Sequence, residues 1–480
     1  MADRWKPFED YMAKVMDVYS LPGASVAVAR DGKTVYSKGF GWRDREEKLE
    51  ATPDTVYGIG SITKSFTAVA IMQLEEQGKL GVDDLVVKHL PEFRVGKTDA
   101  HNSITIHHFL THTSGLAPLP SLFGAMAKSM KQDQSVIESP QFEKLKQLDE
   151  INSYEELMEF IKNLDIELLG PTGQFFSYSN DGWALLGAIV ERVSGIKYED
   201  YVVQNILKPL EMHHSTFDVE KMQSFPEVTM LYISKDEEGK EQVLRSPGWW
   251  EAPAMSPAGF LRSTVPDLLK YMEIYRAGGE RNGTRILSTR NLRRMLMLHS
   301  QPQPNMFYGY GLAVHPNYHG VSLVEHGGGI KGVSAQVTCA PENGITVAVL
   351  TNLAGVPSAQ MALAALNVEM GLPVETRRFE FKHYGCPRQT LSRYEGMFIS
   401  GEGAAIEVSA AEDKLEITSE AKKYYARPIG VDMFALRMKE EEMFVRFLTN
   451  TRGDVWAVSF GFRIIPKGKG EPQEVAKLVR

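Results

Sequence analysis

Three short stretches hold the residue types that acyl transfer needs. The first is Tyr57-Gly58-Ile59-Gly60-Ser61-Ile62-Thr63-Lys64, in which two glycines allow a sharp turn before Ser61 opens a helical pattern ending near Gly78. Ser61 and Lys64 stand at i and i+3 on one helix face, so the amine can reach the hydroxyl. The following turns carry Phe66, Val69, Ile71, Met72 and Leu74, which implies burial. Burial lowers a lysine's pKa, and a neutral amine can take a proton from serine. Backbone N–H groups and the dipole at that helix start favour developing negative charge. Taken alone, Ser61 also reads as a simple N-cap.

The second stretch, Gly170 to Gly187, places Tyr178 on a loop just before a helix that starts at Asn180 or Asp181. A tyrosine beside a lysine ammonium can shuttle protons as general base and acid. Asn180 can bind a lysine or a substrate amide oxygen; a packed loop tyrosine and a capping asparagine are the structural alternative. The third stretch is Glu325-His326-Gly327-Gly328-Gly329 at a strand end. Consecutive glycines let a ligand backbone approach a sheet edge, and the Gly329 N–H can complete an oxyanion hole. His326 can bind a carboxylate or transfer a proton. By itself this segment also reads as a loose hairpin loop.

The elements that must hold these stretches follow from periodicity. A helix pattern over Trp5 to Val18 precedes alternating strands at Ala24–Arg30 and Thr34–Lys38, joined by the Asp31-Gly32 turn. Helical patterns with loops dominate from about Ser61 to Arg276, and within them Ala117 to Glu150 could form a lid or a cleft wall. Strands resume near Tyr308, include Val321–Glu325, Val333–Cys339 and Ile345–Thr351, and give way to a helix at Ser358–Met370. Strands at both ends of this part imply one sheet built from both, with a helical insert at about 65–305. Residues 371–391 read as a linker. Beyond it, short strands at regular spacing suggest a small antiparallel barrel or sandwich.

The combined motifs resemble the penicillin-recognising serine hydrolases: class C β-lactamases, low-molecular-weight penicillin-binding proteins, family VIII esterases and D-amino-acid peptidases. SxxK is Ser61/Lys64, the YxN form of the second motif is Tyr178/Asn180, and His-Gly-Gly stands where Lys-Thr-Gly is usual. Phe109 to Leu116 and Ser256 to Thr264 resemble further segments of the family, and the likeness runs over roughly residues 8 to 370. The tail from Tyr394 resembles the lipocalin-like domain attached to many members. The resemblance implies an α/β (α+β) β-lactamase/transpeptidase-like fold, with an antiparallel sheet flanked by helices, an all-helical insert and a C-terminal antiparallel β-barrel. Its domains are expected at 1–370 and 392–480. It also implies an acyl-enzyme mechanism with Ser61 as nucleophile, Lys64 and Tyr178 moving protons, and Asn180, His326, Gly327, Gly328 and Gly329 around the substrate. A histidine in place of the third-motif lysine binds a carboxylate less firmly near neutral pH.

Composition narrows the partners. Of the 480 residues 43% are hydrophobic and 24% charged, an ordinary globular balance that excludes disordered, collagenous and coiled-coil chains. Lys+Arg number 53 against 61 Asp+Glu, and a net charge of -8 offers no footprint for nucleic acid or an anionic membrane. Two cysteines, Cys339 and Cys386, make no disulfide framework. The charged start has no signal pattern and no apolar run is long enough to span a bilayer, so a cytoplasmic setting is expected. His101, His107, His108 and His112 cluster but lack the glutamate of HExxH, so loop packing is expected and no metal or cofactor. The expected partner is a small ester or short peptide, D-residue-containing peptides included, with a homo-oligomer open. The rivals are a carboxylesterase with vestigial β-lactamase activity and a non-catalytic relative that forms oligomers or filaments.

Overall fold

The computed structural model describes residues 4–138, 142–237, 240–403, 405–419, 422–438 and 441–468. The chain folds into two compact units. One comprises Met1–Asp84, Gln132–Ser135 and Trp183–Arg378, and the other Leu85–Lys131, Val136–Gly182 and Phe379–Arg480.

The first unit is built on a nine-stranded sheet in the order Ser300–Gln303, Met306–Tyr308, Ala313–Tyr318, Val321–Ile330, Val333–Ala340, Ile345–Thr351, Gly23–Arg30, Lys33–Asp44, Leu49–Glu50. Every neighbouring pair is antiparallel. Early and late segments of this unit meet where Gly23–Arg30 pairs with Ile345–Thr351, Val26 opposite Val349. This is the single sheet expected from both ends. Its inner strands Val333–Ala340 and Ile345–Thr351 are buried along their whole length, the second being mostly β-branched and apolar. Phe8, Met12 and Val15 of the helix Lys6–Tyr19 join Met361 and Leu366 of the helix Ser358–Met370 in one core with Val26, Val28, Val347 and Val349. Each such side chain contributes roughly 1.5–3 kcal/mol by leaving water. The helix Val265–Arg276 also packs against the sheet.

The insert is mainly helical but also carries two-stranded pieces. Tyr232–Glu237 pairs with Lys240–Arg245, and Arg262–Ser263 pairs with Tyr57–Gly58, which precedes the insert. The first is hidden in the sequence because Lys235, Asp236, Glu237, Lys240 and Glu241 break any apolar alternation. Among the described residues no helix is long and apolar enough to cross a membrane.

The second unit contains an eight-stranded antiparallel sheet running in chain order from Gly396–Ile399 to Arg463–Pro466. A bridge between Phe398 and Lys467 nearly closes it into a barrel. Alternate residues point inward, so Ile406, Val408, Leu415, Ile417, Leu436, Val445 and Phe447 fill one core. Three strands went unread in the sequence: Lys422–Gly430, Met433–Met438 and Arg463–Pro466. Pro428 and five basic or tyrosyl residues disguise the first, and the last is only four residues long. Residues 371–391 are fastened down at both ends. Leu372 and Val374 pack on the core of the first unit, while the Phe381 carbonyl accepts from Arg427 Nη2 at 2.8 Å in the second.

Candidate active site

Ser61 lies in a 3₁₀ turn, Gly60–Ile62, that leads straight into the helix Thr63–Glu76. Gly60 has φ +50°, a left-handed conformation that lets the chain reverse into the helix. Thr63 Oγ1 donates to the Gly60 carbonyl at 2.7 Å and accepts from Leu261 N–H at 3.2 Å, which ties the turn to the neighbouring segment. Lys64 is fully buried and its Nζ lies 3.0 Å from Ser61 Oγ, the geometry that the i, i+3 spacing foresees. The same amine donates to the Ala258 carbonyl at 2.5 Å. That carbonyl comes from the short helix Ser256–Gly259, whose Pro257 carbonyl also accepts from Thr67 Oγ1 at 2.8 Å. The segment Ser256–Thr264 therefore orients the lysine and braces its helix.

The glycine stretch is not a loose loop. Residues 325–330 continue the strand Val321–Ile330 and pair residue by residue with Val333–Ala340, Gly329 opposite Ser334. This edge presses on the Ser61 turn. A Cβ on Gly60 would come within 2.6 Å of the Gly329 nitrogen, and one on Gly328 within 1.9 Å of the Ile59 carbonyl oxygen. The two backbones touch because neither position has a side chain. This close approach brings the Gly329 backbone beside the turn that carries Ser61.

His326 is buried, and its Nδ1 donates to the Gly327 carbonyl at 2.5 Å while Nε2 accepts from the Tyr308 hydroxyl at 3.0 Å. Burial first, and then the neighbouring Lys64, push its pKa down to about 4. The imidazole is therefore neutral at pH 7 with both nitrogens engaged. The preceding Glu325 faces Arg378, at 2.8 and 2.7 Å, and His315 at 3.0 Å. Burial alone would raise the Glu325 carboxyl, but Arg378 and His315 outweigh it and hold it well below the usual range. Arg378 belongs to the segment that reads as a linker in the sequence, so this brace of the third motif was not legible there.

Tyr178 and Asn180 lie in the second unit. Asn180 is buried and begins the helix Asn180–Ser194. The loop before it is held by His112: the Ser177 N–H donates to the His112 carbonyl at 2.9 Å and the Ser179 N–H to its Nδ1 at 3.0 Å. The His112 ring stacks on Tyr178 with centroids 4.1 Å apart. The helix Ile106–Leu110 ends before His112, which has φ +56°, so His108 and His112 do not share a helical face. His108 instead caps that helix, its Nδ1 2.8 Å from Thr105 Oγ1. His108 and His112 thus pack loops, and His112 positions the second motif, a role its spacing alone did not reveal. Of Ala117 to Glu150, residues 139–141 lie outside the described residues; Asp133 in this stretch pairs with Lys331 and accepts from Trp250 Nε1 at 2.7 Å.

Asp181, next to Asn180, is buried and accepts a hydrogen bond from Ser121 Oγ. Burial pushes its pKa up to about 7. The folded state thus holds a proton that the unfolded chain releases near pH 4, so this group's contribution to stability falls as pH rises from about 4 to 7. Urea melts of wild type and Asp181→Asn at pH 5 and 8 are expected to diverge, with wild type losing on the order of a few kcal/mol more than the variant. Parallel losses in the two proteins would refute the assignment.

Residues 8–369 match the Beta-lactamase family. The chain belongs to the beta-lactamase family. It has the expected β-lactamase/transpeptidase-like fold with a nearly closed eight-stranded barrel at the C-terminal end. Protein flp of Staphylococcus aureus (strain MW2) is 28% identical over 336 residues, 69% of this chain and 60% of that protein, so the chain spans about 60% of the length of this curated relative. Among solved structures, the octameric penicillin-binding protein homologue from Pyrococcus abyssi aligns with a TM-score of 0.67 at 29% identity, over 96% of this chain and 99% of that one. A D-stereospecific amidohydrolase from Streptomyces aligns with a TM-score of 0.60 at 25% identity, over 76% and 98%. Family membership supports a serine hydrolase in general.

Proposed function

We propose that this chain hydrolyses small esters or amide and peptide bonds, those of D-residues included, through an acyl-enzyme on Ser61. The observation that carries the reading is Ser61 Oγ 3.0 Å from a fully buried lysine amine, on a turn pressed against a glycine strand. In this reading the Ser61 proton passes to Lys64 as Oγ bonds to the substrate carbonyl carbon. The N–H groups of Ser61 and Gly329 stabilise the oxyanion. Lys64 and Tyr178 return a proton to the leaving group, and water then cleaves the acyl ester with the same groups reversed. The parts given to Tyr178 and Asn180 rest on the order and type of the motifs.

The neutral His326 separates substrates. With both ring nitrogens engaged and no charge at pH 7, it gives a free carboxylate little to bind, so uncharged acyl groups fit better than penicillin-like acids. The name of the Streptomyces neighbour supports the amide branch. Side-by-side kcat/KM for p-nitrophenyl butyrate, D-alanyl p-nitroanilide and nitrocefin tests the reading, with nitrocefin expected to be slowest. Nitrocefin as the best substrate would overturn it.

We further assign residues 1–370 to the hydrolase domain, 371–391 to a linker and 392–480 to a lipocalin-like barrel, of which 469–480 lie outside the described residues. The free thiols of Cys339 and Cys386 support a reducing, cytoplasmic setting, and the octameric archaeal homologue supports self-association.

A further inference from the structure

The turn between the last two barrel strands reaches the loop that carries Tyr178. The Tyr178 N–H donates to the Phe462 carbonyl at 2.9 Å, and the Ile464 N–H donates to Ser177 Oγ at 3.3 Å. Phe462 sits at φ +67°, a conformation a bulky aromatic residue rarely adopts, and it does so where its carbonyl meets Tyr178. Beside it, the Arg463 guanidinium lies 5.2 Å from the centroid of the Tyr178 ring. Arg463 also pairs with Glu402 from the same barrel. An apolar cluster of Leu169, Ala457, Ile464, Ala117, Phe175 and Trp456 holds the barrel to this region.

We propose that Arg463 is a positioning residue for the second motif: the barrel delivers a fixed positive charge that stabilises the ionised form of Tyr178. A cation near an aromatic ring is attracted weakly while the phenol is neutral and strongly once it is a phenolate, so the contact favours deprotonation. The other titratable groups about this contact are His112, stacked on the ring, Glu402, paired with the guanidinium, and Asp181, whose charge is felt at Arg463. Glu402 offsets part of the Arg463 charge. Asp181 is largely protonated below about pH 7 and offsets little there. The barrel is then part of the hydrolytic apparatus rather than an appendage.

This inference rests on the proton-carrying role proposed for Tyr178, and the test separates the two. The rate of Ser61 labelling by a fluorophosphonate is measured against pH in the full chain. In Arg463→Gln the acid limb is expected to move up by roughly half to one pH unit, the size of a Coulomb interaction over about 5 Å in a partly exposed setting. Arg463→Lys is expected to keep the wild-type limb. Glu402→Gln, which leaves Arg463 unopposed, is expected to move it down and provides the test should Arg463→Gln fail to fold. A folded Arg463→Gln whose profile superimposes on wild type, or falls evenly at every pH, overturns the inference, as does an unmoved limb in Glu402→Gln. Tyr178→Phe with the wild-type rate would overturn the role of Tyr178 and this inference together. Loss of activity in Tyr178→Phe beside an unmoved Arg463→Gln would overturn the inference alone.

Discussion

Ser61→Ala is expected to abolish fluorophosphonate labelling that is stoichiometric in the wild type, and to lower ester hydrolysis by a factor on the order of 10³ to 10⁶. The change removes one hydroxyl from a half-buried turn, and with it the 3.0 Å contact to Lys64 Nζ, but leaves the other bonds around it in place. Lys64 keeps its bond to the Ala258 carbonyl, Thr63 keeps its bonds to Gly60 and Leu261, and the Gly328 contact with Ile59 does not involve the side chain. Thermal stability should therefore stay close to wild type, so the lost activity cannot be charged to unfolding. Lys64→Met is the weaker companion experiment, because it also strips the buried Ala258 carbonyl of its donor and should lower stability together with activity. Undiminished labelling of Ser61→Ala would place the nucleophile elsewhere and end the acyl-enzyme reading.

The contrast between Ser61 and Arg463 shows what the sequence makes legible. Ser61 and Lys64 are three residues apart where a 3₁₀ turn runs straight into a helix, so their meeting at 3.0 Å follows from local helical geometry and needs no knowledge of the rest of the chain. The sheet assembled from both ends of the first unit was legible for a similar reason, since Ala24–Arg30 alternates as a strand does and Ile345–Thr351 is a β-branched apolar run. What stayed hidden were partners fixed by tertiary structure. The Ala258 carbonyl meets Lys64 across 194 residues and Arg378 meets Glu325 across 53. The Phe462 turn meets Tyr178 from a strand of four residues that carries no periodicity to read. His112 was visible as a histidine but not as the support of the second motif, because only its left-handed backbone turns the ring onto Tyr178.

The three glycines after His326 look alike in the sequence, yet Gly328→Ala is expected to cost on the order of 10² to 10³ in kcat/KM while Gly329→Ala stays close to wild type. A Cβ on Gly328 would lie 1.9 Å from the Ile59 carbonyl oxygen and 2.8 Å from its carbon. Both are backbone atoms of the segment that delivers Ser61, so no side chain can swing aside. The strand or the turn must retreat by roughly 1 Å to restore contact distance, and a shift of that size between nucleophile and oxyanion donor is worth about 10²-fold. At Gly329 a Cβ meets nothing within 4 Å, and the N–H proposed for the oxyanion hole survives the substitution. At Gly327 the nearest atom is Gln336 Oε1 at 3.1 Å, the end of a side chain that can give way, so an intermediate effect is expected there. Melting temperatures measured alongside kcat/KM separate a displaced site from a collapsed fold. Gly328→Ala with wild-type kinetics, or Gly329→Ala as impaired as Gly328→Ala, would show that the approach of this strand to the Ser61 turn does not set the reaction geometry.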